Sequence, residues 1–499
     1  MHFGRQVILT DERDITAQNV MQVLTDAMAI HEQNRADCQF LTQYEKGDQP
    51  ILGREKNVRS DINNKVVENH AASIVNFVTG YGFGQPIQYV QRADKDSSGE
   101  PVERDDAGIQ LLNEMLHEQT KSSKDYRLAF LFGVNGVSYR LVLPSRRTRG
   151  PVAKQSLFDV LTLDPRTTFV VYSNDVYRDP VMAVSYQTKA GLGSTAKVYG
   201  VYTADKIYTI DSEHPEAMRV KDNPIGIIPI IEYRYDEDRM GAFEKVIPLL
   251  DALNTTASNR VDGLEQFIQS LLVILEAEVD DDTIAHAAEI GGICISSNSE
   301  NKHADIKLLQ ASLDQVGSQS LADDQLTKVW EISGVPGRNA DAQNTTGEAV
   351  LLSSGWQLAE TAMKSREHIF EESEMRALEV MLAIIAADPH APAELKSLRL
   401  SDIEIKFSRN RTDGLMTKVQ ALQILFDAGI LNKHALEACG LWSDVQTIWQ
   451  DSKDTILEAH SHAEGTGDDT PVGGLGDKHD APNSVTDGQS DGGNHTQEA

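Results

Sequence analysis

The sequence has few cysteines and lacks the apolar segments of a membrane or secreted protein. Its 499 residues include three cysteines, Cys38, Cys294 and Cys439, far apart in the chain. This odd number argues against a disulfide framework or a cysteine-based zinc site and fits a reducing compartment. Apolar runs such as residues 271–275 are far too short to cross a bilayer, and the N-terminus lacks a signal peptide's apolar core. We therefore expect a soluble protein that is made in the cytoplasm.

Positive charge is also scarce. Lysine and arginine number 46 against 76 aspartates and glutamates, for a net charge of −30. Tight wrapping of DNA or binding to an anionic membrane is disfavoured, because both need clustered basic residues. Weak contact with DNA, or a wall that repels it, remains compatible with this charge.

Several catalytic motifs are absent. The sequence contains no P-loop, H-E-x-x-H or C-x-x-C motif. The glycines of residues 80–84 follow no predicted strand and lack the G-x-G-x-x-G spacing, so a turn into a strand at 87–90 explains them better than phosphate binding. The alternative is a metal-dependent nucleic-acid-processing enzyme using Asp280, Asp281 and Asp282. Consecutive helical residues point in different directions, however, and acids are favoured at a helix N-terminus.

Long helical patterns organise the middle of the chain. Residues 249–277 contain no proline, and apolar residues recur at helical spacing except in the polar piece 254–260. A shorter pattern ends near Ile332, a loop covers 334–345, and a second long pattern covers 347–387. A helix of roughly 40 residues is about 60 Å long. Such a helix must span between domains or pack against copies of itself; the alternative is a helical arm in an ordinary multidomain protein.

The remaining chain predicts an α+β fold. Helices are predicted at 16–44, 61–78, 109–116 and 124–132, and between 136 and 235 the period changes to that of an antiparallel meander. Its strands are predicted at 137–143, 168–172, 181–186, 197–202 and 207–210. Within the insert 278–313, residues 293–296 and 304–308 could pair as strands. A strand at 399–407, helices at 415–429, 432–439 and 443–460, and a disordered acidic tail from 464 complete the pattern.

Separate blocks of the sequence together form a recognisable pattern. Residues 63–70 read NNKVVENH and residues 80–89 read GYGFGQPIQY. They resemble the N-K-[IV]-[VI] helix and the G-Y-x-x-G-x-P-[IV]-x-Y block of the SPP1-type family of tailed-phage portal proteins. Residues 344–349 (NTTGEA) resemble the start of its long helix, and 403–410 (IEIKFSRN) its F-x-R-N strand. Residues 421–430 resemble the helix that follows. The order and spacing of these blocks match along nearly the whole chain.

One position departs from the pattern, since Asn432 stands where a serine is usual. The resemblance implies a ring, typically of twelve copies, at one capsid vertex of the virion, through which double-stranded DNA is packaged and later ejected. The domains it implies are an α+β wing (1–242), a stem helix (243–277), a small α/β clip (278–314), a second stem helix (315–333), a tunnel loop (334–345), a long wing helix and strand (346–412), a helical crown (413–463) and the acidic tail (464–499).

The same resemblance implies partners and site residues. The clip would dock the terminase large subunit during packaging and a head-completion or adaptor protein afterwards, and the ring would meet the major capsid and scaffolding proteins. Candidate docking residues in the clip are Asp280, Asp281, Asp282, Asn298 and Glu300. Candidate residues of the tunnel loop and DNA channel are Val335, Arg338, Asn339, Gln343, Asn344 and Lys328. No catalytic activity, metal or cofactor is expected.

The residue patterns agree with this resemblance. The polar piece 254–260 suits a helix partly facing a water-filled channel, and an insert of about 35 residues buries too little to fold without a neighbouring copy. An acidic wall would let DNA slide, with weak phosphate contacts from Lys328 and Arg338. The alternative for these two cations is that they are solvated surface charges. A non-viral helical scaffold is the remaining alternative, favoured if no closed ring forms.

Deleting residues 465–499 should leave assembly unchanged, because a polar tail with almost no large apolar side chain has nothing to pack. Light scattering of the full-length and truncated proteins measures this directly. A truncated protein that remains monomeric while the full-length chain assembles would contradict the prediction.

Overall fold

The computed structural model describes most of the chain. The described residues are 3–57, 60–92, 107–145, 156–191, 195–268, 271–275, 305–309, 315–337, 355–409 and 415–428, with Ala435, Leu436, Cys439, Trp449 and Ser452. Residues 1–411 form one compact unit and residues 412–499 form another.

Helices and strands both contribute to the first unit, as an α+β fold requires. The described α-helices are α1 Val20–Glu45, α2 His70–Phe83, α3 Ala107–Glu118, α4 Lys121–Asn135, α5 Ile247–Ile268, α6 Gln315–Ser333, α7 Trp356–Ala387 and α8 Ala393–Ser397, with α9 Leu415–Asp427 in the second unit. The described strands are β1 Ile8–Thr10, β2 Gln88–Gln91, β3 Val137–Pro144, β4 Phe158–Leu163, β5 Thr168–Ser173, β6 Pro180–Thr188, β7 Lys197–Tyr202, β8 Lys206–Asp211, β9 Arg219–Asp222, β10 Ile230–Arg234, β11 Leu271–Leu275, β12 Asp305–Leu309 and β13 Ile403–Lys406. The predicted α+β class is confirmed.

The predicted single meander is in fact two sheets. Strands β5 to β9 form the antiparallel run, and β1 pairs parallel to β5 at the edge, with Ile8 opposite Val171. Strand β3 lies instead in a three-stranded sheet between β10 and β4. The sequence pattern is the same in both sheets because their strands alternate in the same way, so periodicity alone does not separate them.

Strand β5 is the shared layer between two apolar cores. Phe169 and Val171 face α1, in a core with Val23 and Leu24. Val170 and its alternate neighbour Tyr172 face the other way, in a core with residues of the three-stranded sheet. Because successive side chains of a strand point to opposite faces, a strand buried on both sides is apolar at every position. This explains the four successive large apolar and aromatic residues of β5, Phe169 to Tyr172.

A buried group of charges attaches α7 to the three-stranded sheet. Glu374 of α7 accepts hydrogen bonds from Arg140 Nη1 at 2.6 Å, Tyr233 Oη at 2.7 Å and Tyr89 Oη at 2.7 Å. Lys121 Nζ lies 3.1 Å from the same carboxylate, and Arg140 also pairs with Asp125. Burial acts to raise the pKa of Glu374, but Arg140 and Lys121 outweigh it and lower that pKa to about 2.

The helix predicted at 61–78 is only partly correct. Helix α2 begins at His70, and the preceding residues follow an extended course along α5. The backbone N–H groups of Asn64, Val66 and Glu68 bond to polar side chains of α5 rather than within a helix turn. Hydrogen bonds to α5 therefore replace the helical hydrogen bonds that the local pattern predicts.

The long helix predicted to reach residue 277 is also wrong at its end. Helix α5 ends at Ile268, and Leu271–Leu275 forms β11, which pairs antiparallel with β12. A short continuous apolar run fits a strand as well as a buried helix, so periodicity does not separate them. The predicted pairing of 293–296 with 304–308 is not tested, because residues 276–304 lie outside the described residues.

Other boundaries shift modestly. The predicted strand 399–407 narrows to β13, which pairs with β2. The second long helix is described from Trp356 onward, and its 32 residues span about 48 Å. The helices predicted after residue 429 and the acidic tail lie almost wholly outside the described residues.

Replacing Glu374 with alanine should destabilise the first unit by about 3–5 kcal/mol, because it leaves the two buried cations Arg140 and Lys121 with a single carboxylate, Asp125, in place of two. Urea unfolding followed by fluorescence measures the effect. The matched control is Glu379→Ala on the exposed face of the same helix, for which we expect a change within about 0.5 kcal/mol. Equal unfolding midpoints for the two variants would contradict this role of Glu374.

The pH dependence of stability gives a second readout. The pKa of Glu374 is lower in the folded chain than its ordinary value of 4.5. Its ionised form therefore stabilises the fold above pH 4.5, and this contribution is lost as the pH falls toward 2. A Glu374→Gln variant should lose that part of the acid dependence.

Candidate functional site

The candidate site consists of α5, α6 and the two points where the chain leaves and re-enters the described structure around residues 338–354. Helices α5 and α6 pack together through buried residues that include Leu250, Leu253 and Val329. Both helices also carry exposed aliphatic side chains. They are Val261 (42% exposed) and Leu264 (57%) on α5, and Val316 (81%) and Leu321 (51%) on α6.

A polar ladder joins α5 to the extended residues 62–69, which we call the belt. Asn254, Ser258 and Asp262 accept the backbone N–H groups of Glu68, Val66 and Asn64 at 2.8, 2.9 and 2.7 Å. Four helical residues rise about 6 Å, and two extended residues advance about 6.6 Å. The two spacings match, so every fourth residue of the helix meets every second residue of the belt.

The ladder accounts for part of the polar piece 254–260. Asn254 and Ser258 are fully buried beneath the belt, whereas Thr255 and Asn259 of the same piece are exposed. That this helix partly faces a water-filled channel stays a prediction. Asn254 also donates to Gln49 Oε1 at 2.5 Å. The sequence shows that this piece is polar, but it does not show that the belt covers it. The spacing of 254, 258 and 262 was the available signal, since it places all three on one helical face.

Asp262 is the ionic anchor of the belt. Its carboxylate lies 2.6 Å from Lys56 Nζ and 3.4 Å from Arg54 Nη1, and it also accepts the side-chain amide of Asn64 at 3.0 Å. Burial acts to raise the pKa of Asp262, but the hydrogen bonds from Lys56 and Asn64 outweigh it and hold that pKa below its ordinary value. The belt is therefore attached at one end by charge and along its length by neutral hydrogen bonds.

The exposed face of α6 is acidic. Asp323, Asp324 and Glu331 are exposed there, and Lys328 Nζ lies 2.5 Å from the Asp324 carboxylate. The side chains of this pair are both about half exposed, so it is screened by solvent and contributes little to stability. The ammonium group of Lys328 is therefore neutralised by Asp324 of the same helix. The remaining acids leave this face with an excess of negative charge.

The two ends of the 338–354 segment meet. Helix α6 ends at Ser333, Gly334 follows it with φ +70°, and Val335 N–H bonds to the carbonyl of Trp330 at 3.0 Å. A Cβ placed on Gly355 would lie 3.7 Å from Pro336 Cα. The segment therefore leaves and returns at one place, as a loop does. The predicted loop at 334–345 has its first end here, while its remaining residues lie outside the described residues.

Aromatic side chains hold both ends in place. Trp356, the first residue of α7, packs edge-on against Phe77 and Tyr81 of α2, with ring centroids 5.9 and 5.5 Å apart. Trp330 of α6 packs edge-on against His70, 5.5 Å away. Both tryptophans therefore serve packing.

Arg409 was not anticipated as a structural element of this region. It pairs with Glu360 and with Glu367 on the first half of α7, and Tyr81 Oη donates to Glu360 at 2.6 Å. Gly82 belongs to the same contact, because a Cβ there would lie 2.6 Å from Sδ of Met363 on α7. The arginine of the F-x-R-N block and Gly82 thus contribute to holding α7 against α2.

Several predicted site residues lie outside the described residues. They are Asp280, Asp281, Asp282, Asn298 and Glu300 of the insert, and Arg338, Asn339, Gln343 and Asn344 of the loop. Val335 and Lys328 are described, at the loop's first end and on the exposed face of α6. Within the described part of the chain, no cluster of three or more His, Cys, Asp or Glu side chains could hold a metal ion. In that same part, no helix combines the length and apolar character needed to cross a membrane.

Replacing Gly355 with alanine should destabilise the loop base by about 1–2 kcal/mol, because its φ of +80° disfavours a residue with a Cβ. Thermal unfolding of the purified protein measures the change. The matched control is Gly337→Ala, where an added Cβ meets nothing within 4 Å and the backbone is not left-handed, so no loss is expected. Equal melting temperatures for the two variants would contradict the strain at Gly355.

Comparison with known proteins bears on the whole of this arrangement. A family model described as phage portal protein, SPP1 Gp6-like, matches residues 26–459. The matched range includes the belt, α5, α6, both ends of the 338–354 segment and α7. No curated protein matches the chain.

Proposed function

The chain belongs to the SPP1 Gp6-like family of phage portal proteins, and from that premise we propose that it forms a closed ring enclosing a channel for double-stranded DNA. The family is structural rather than enzymatic, and it implies a ring oligomer in the phage head with capsid and DNA partners. The family match over residues 26–459 is the observation that carries the proposal.

In this proposal twelve copies close into a ring at one capsid vertex, after synthesis in the cytoplasm of the bacterial host. A ring arises when each copy meets the next through two different surfaces and the rotation closes. The exposed aliphatic residues of α5 and α6 support such contacts, because Val261, Leu264, Val316 and Leu321 lose apolar exposure when helices of neighbouring copies pack. The stem of each copy is then α5, α6 and the belt that covers the polar side of α5.

The acidic face of α6 lines the channel. Asp323, Asp324 and Glu331 repel the phosphate backbone, and Lys328 is partnered by Asp324. Counterion release drives proteins to bind DNA only where cations replace those counterions. A wall with excess negative charge therefore lets the duplex slide during packaging and ejection.

The insert between α5 and α6 forms the docking clip. Its described part is the two-stranded pair of β11 and β12. A two-stranded pair is marginally stable in isolation, and the five successive apolar residues of β11 are typical of a strand covered on both faces. Neighbouring copies complete it. The finished ring of clips receives the terminase large subunit during packaging and the head-completion or adaptor protein afterwards.

The loop 334–345 projects into the channel. The meeting of Pro336 and Gly355 supports this, because a segment whose two ends touch projects as a unit from α6 and α7, and that segment contains most of the loop. Residues 1–242 with α7 form the outer wing, which meets the major capsid and scaffolding proteins. Residues 413–463 form the crown.

Electron microscopy of the purified protein, with particle mass from light scattering, tests the proposal. Closed rings with a central hole wide enough to admit a DNA duplex are the expected result, and the mass gives the copy number. Monomers or dimers without a channel would overturn it.

Replacing residues 338–345 with a Gly-Ser linker of the same length should spare ring formation but impair DNA packaging or retention. The replacement leaves Gly334 to Gly337 and Gly355 untouched, so the base of the loop is preserved. Packaged DNA in assembled heads is measured by nuclease protection. The matched control replaces residues 96–103, which lie between β2 and α3, and normal packaging by the 338–345 variant would contradict the loop's role.

A further inference from the structure

The most exposed large apolar side chains of the described chain lie side by side on one turn. Val176 is 97% exposed and Tyr177 is 82% exposed, in the connection between β5 and β6. Exposed single apolar residues are common, but two such residues at the tip of one well-held turn form a distinct feature. We call this pair the knob.

The turn that carries the knob is held firmly. Asp175 Oδ1 accepts the N–H groups of Tyr177 at 3.0 Å and Arg178 at 3.1 Å, and it accepts the hydroxyl of Ser173 at 2.9 Å. Asp179 N–H donates to the Ser173 hydroxyl at 3.0 Å. The knob therefore loses little conformational freedom when a partner covers it.

Acidic side chains predominate on the surface beside the knob, where an ion pair joins Arg13 to Asp175 at 3.0 Å. Asp11 accepts the amide of Asn174 at 2.8 Å, Glu12 accepts the amide of Asn19 at 3.1 Å, and Asp26 accepts the amide of Gln22. Neutral amides orient these three acids without cancelling their charge. An open cleft of about 380 Å³ lies among them, with a partly apolar lining from Leu9, Val23, Ala27 and Val171. The surface therefore suits a basic segment that also carries small apolar side chains.

The chain itself contains such a segment. Residues 146–155 read RRTRGPVAKQ, with four basic residues, no acid and the apolar run Pro-Val-Ala. The flanking chain is held by the β3–β4 ladder, where Pro144 is paired with Phe158 and Ser145 N–H bonds to Leu157 O at 2.9 Å. Ten residues that leave and return at one place can extend about 16 Å beyond that pair.

Electrostatics favours a neighbouring copy as the chain whose residues 146–155 bind the knob surface. A ring brings together chains that each carry a net charge of −30. Like charges across an interface are costly, so each contact needs local complementarity. A head-to-tail ring joins two different surfaces of the same chain, and the acidic knob surface and the basic segment are two such surfaces.

We propose that residues 146–155 of one copy dock against the knob and its acidic surroundings on the next copy. The arginines and Lys154 face Asp11, Glu12 and Asp26, while the Pro-Val-Ala run covers Val176 and Tyr177. The inference rests on the ring assembly of the proposed function and adds an outer contact to the helix packing of the stem.

Disulfide trapping tests the contact directly. The double variant Arg178→Cys with Thr148→Cys keeps the knob and every acid of its surroundings. Mild oxidation of assembled rings should give a ladder of covalent multimers on non-reducing gels, because each bond joins two copies. The controls are each single variant and the pair Glu216→Cys with Thr148→Cys, which should remain monomeric on the gel. A bond formed only within one chain, or no bond in intact rings, would overturn the proposal.

Charge exchange tests its energetic basis. Asp11→Lys with Glu12→Lys should raise the concentration needed for half-assembly by about tenfold, since each tenfold change corresponds to about 1.4 kcal/mol. Adding Arg146→Glu and Arg147→Glu should restore assembly, whereas Glu216→Lys alone should leave it unchanged. Assembly of the Asp11 and Glu12 variant at the unmodified chain's concentration, or failure of the combined variant to recover, would overturn the docking. Rings that form without this contact leave the portal proposal intact, whereas an unmodified chain that forms no ring overturns both.

Discussion

The ion group around Glu374 is the interaction on which the position of the longest described helix depends. A helix of this length can slide or rotate against a sheet when only apolar side chains hold it, because apolar contact is non-directional. Glu374 removes that freedom by accepting from Arg140, Tyr233 and Tyr89 at once. Glu360 and Glu367, nearer the start of α7, are held by Arg409. The helix is thus attached at two levels by charge, and its first residue, Trp356, has a definite position at the base of the loop.

The same principle recurs at α5, where a helix with a polar face meets an extended chain. Asn254, Ser258 and Asp262 would be unremarkable on a solvated helix, yet they are buried and satisfy the backbone of the belt. Removing such a partner leaves buried donors unsatisfied, which costs more than a typical hydrogen bond contributes. In both places directional polar contacts determine the register, while apolar cores supply most of the burial. Where apolar packing alone would allow several arrangements, these polar groups select one.

The elements with regular, isolated patterns could be predicted from the sequence, and the errors follow from contacts made at a distance. Helix α1 and the strands β5 to β8 were expected at nearly their observed positions because each buries one regular face. The local pattern predicts helix for the belt because nothing in residues 62–69 reveals the acceptors that lie almost 200 residues later on α5. It predicts helix for β11 because five successive apolar residues are compatible with both periodicities. Of the candidate site, the end of α6 near Ile332 could be predicted. The roles of Arg409, Gly355 and Asp262 could not, because each depends on a partner far away in the chain.

The meeting of Pro336 and Gly355 has a consequence for how this family of chains can diversify. A segment whose ends already touch can gain or lose residues without pulling on the helices that flank it. Doubling the length of a flexible loop adds only about 0.6 kcal/mol of closure entropy. Insertions and deletions between these two points therefore cost the fold little, and the length and sequence of this segment can change while the flanking helices α6 and α7 stay in place. Helices α6 and α7 form a constant framework, and the residues between Pro336 and Gly355 are free to vary in evolution.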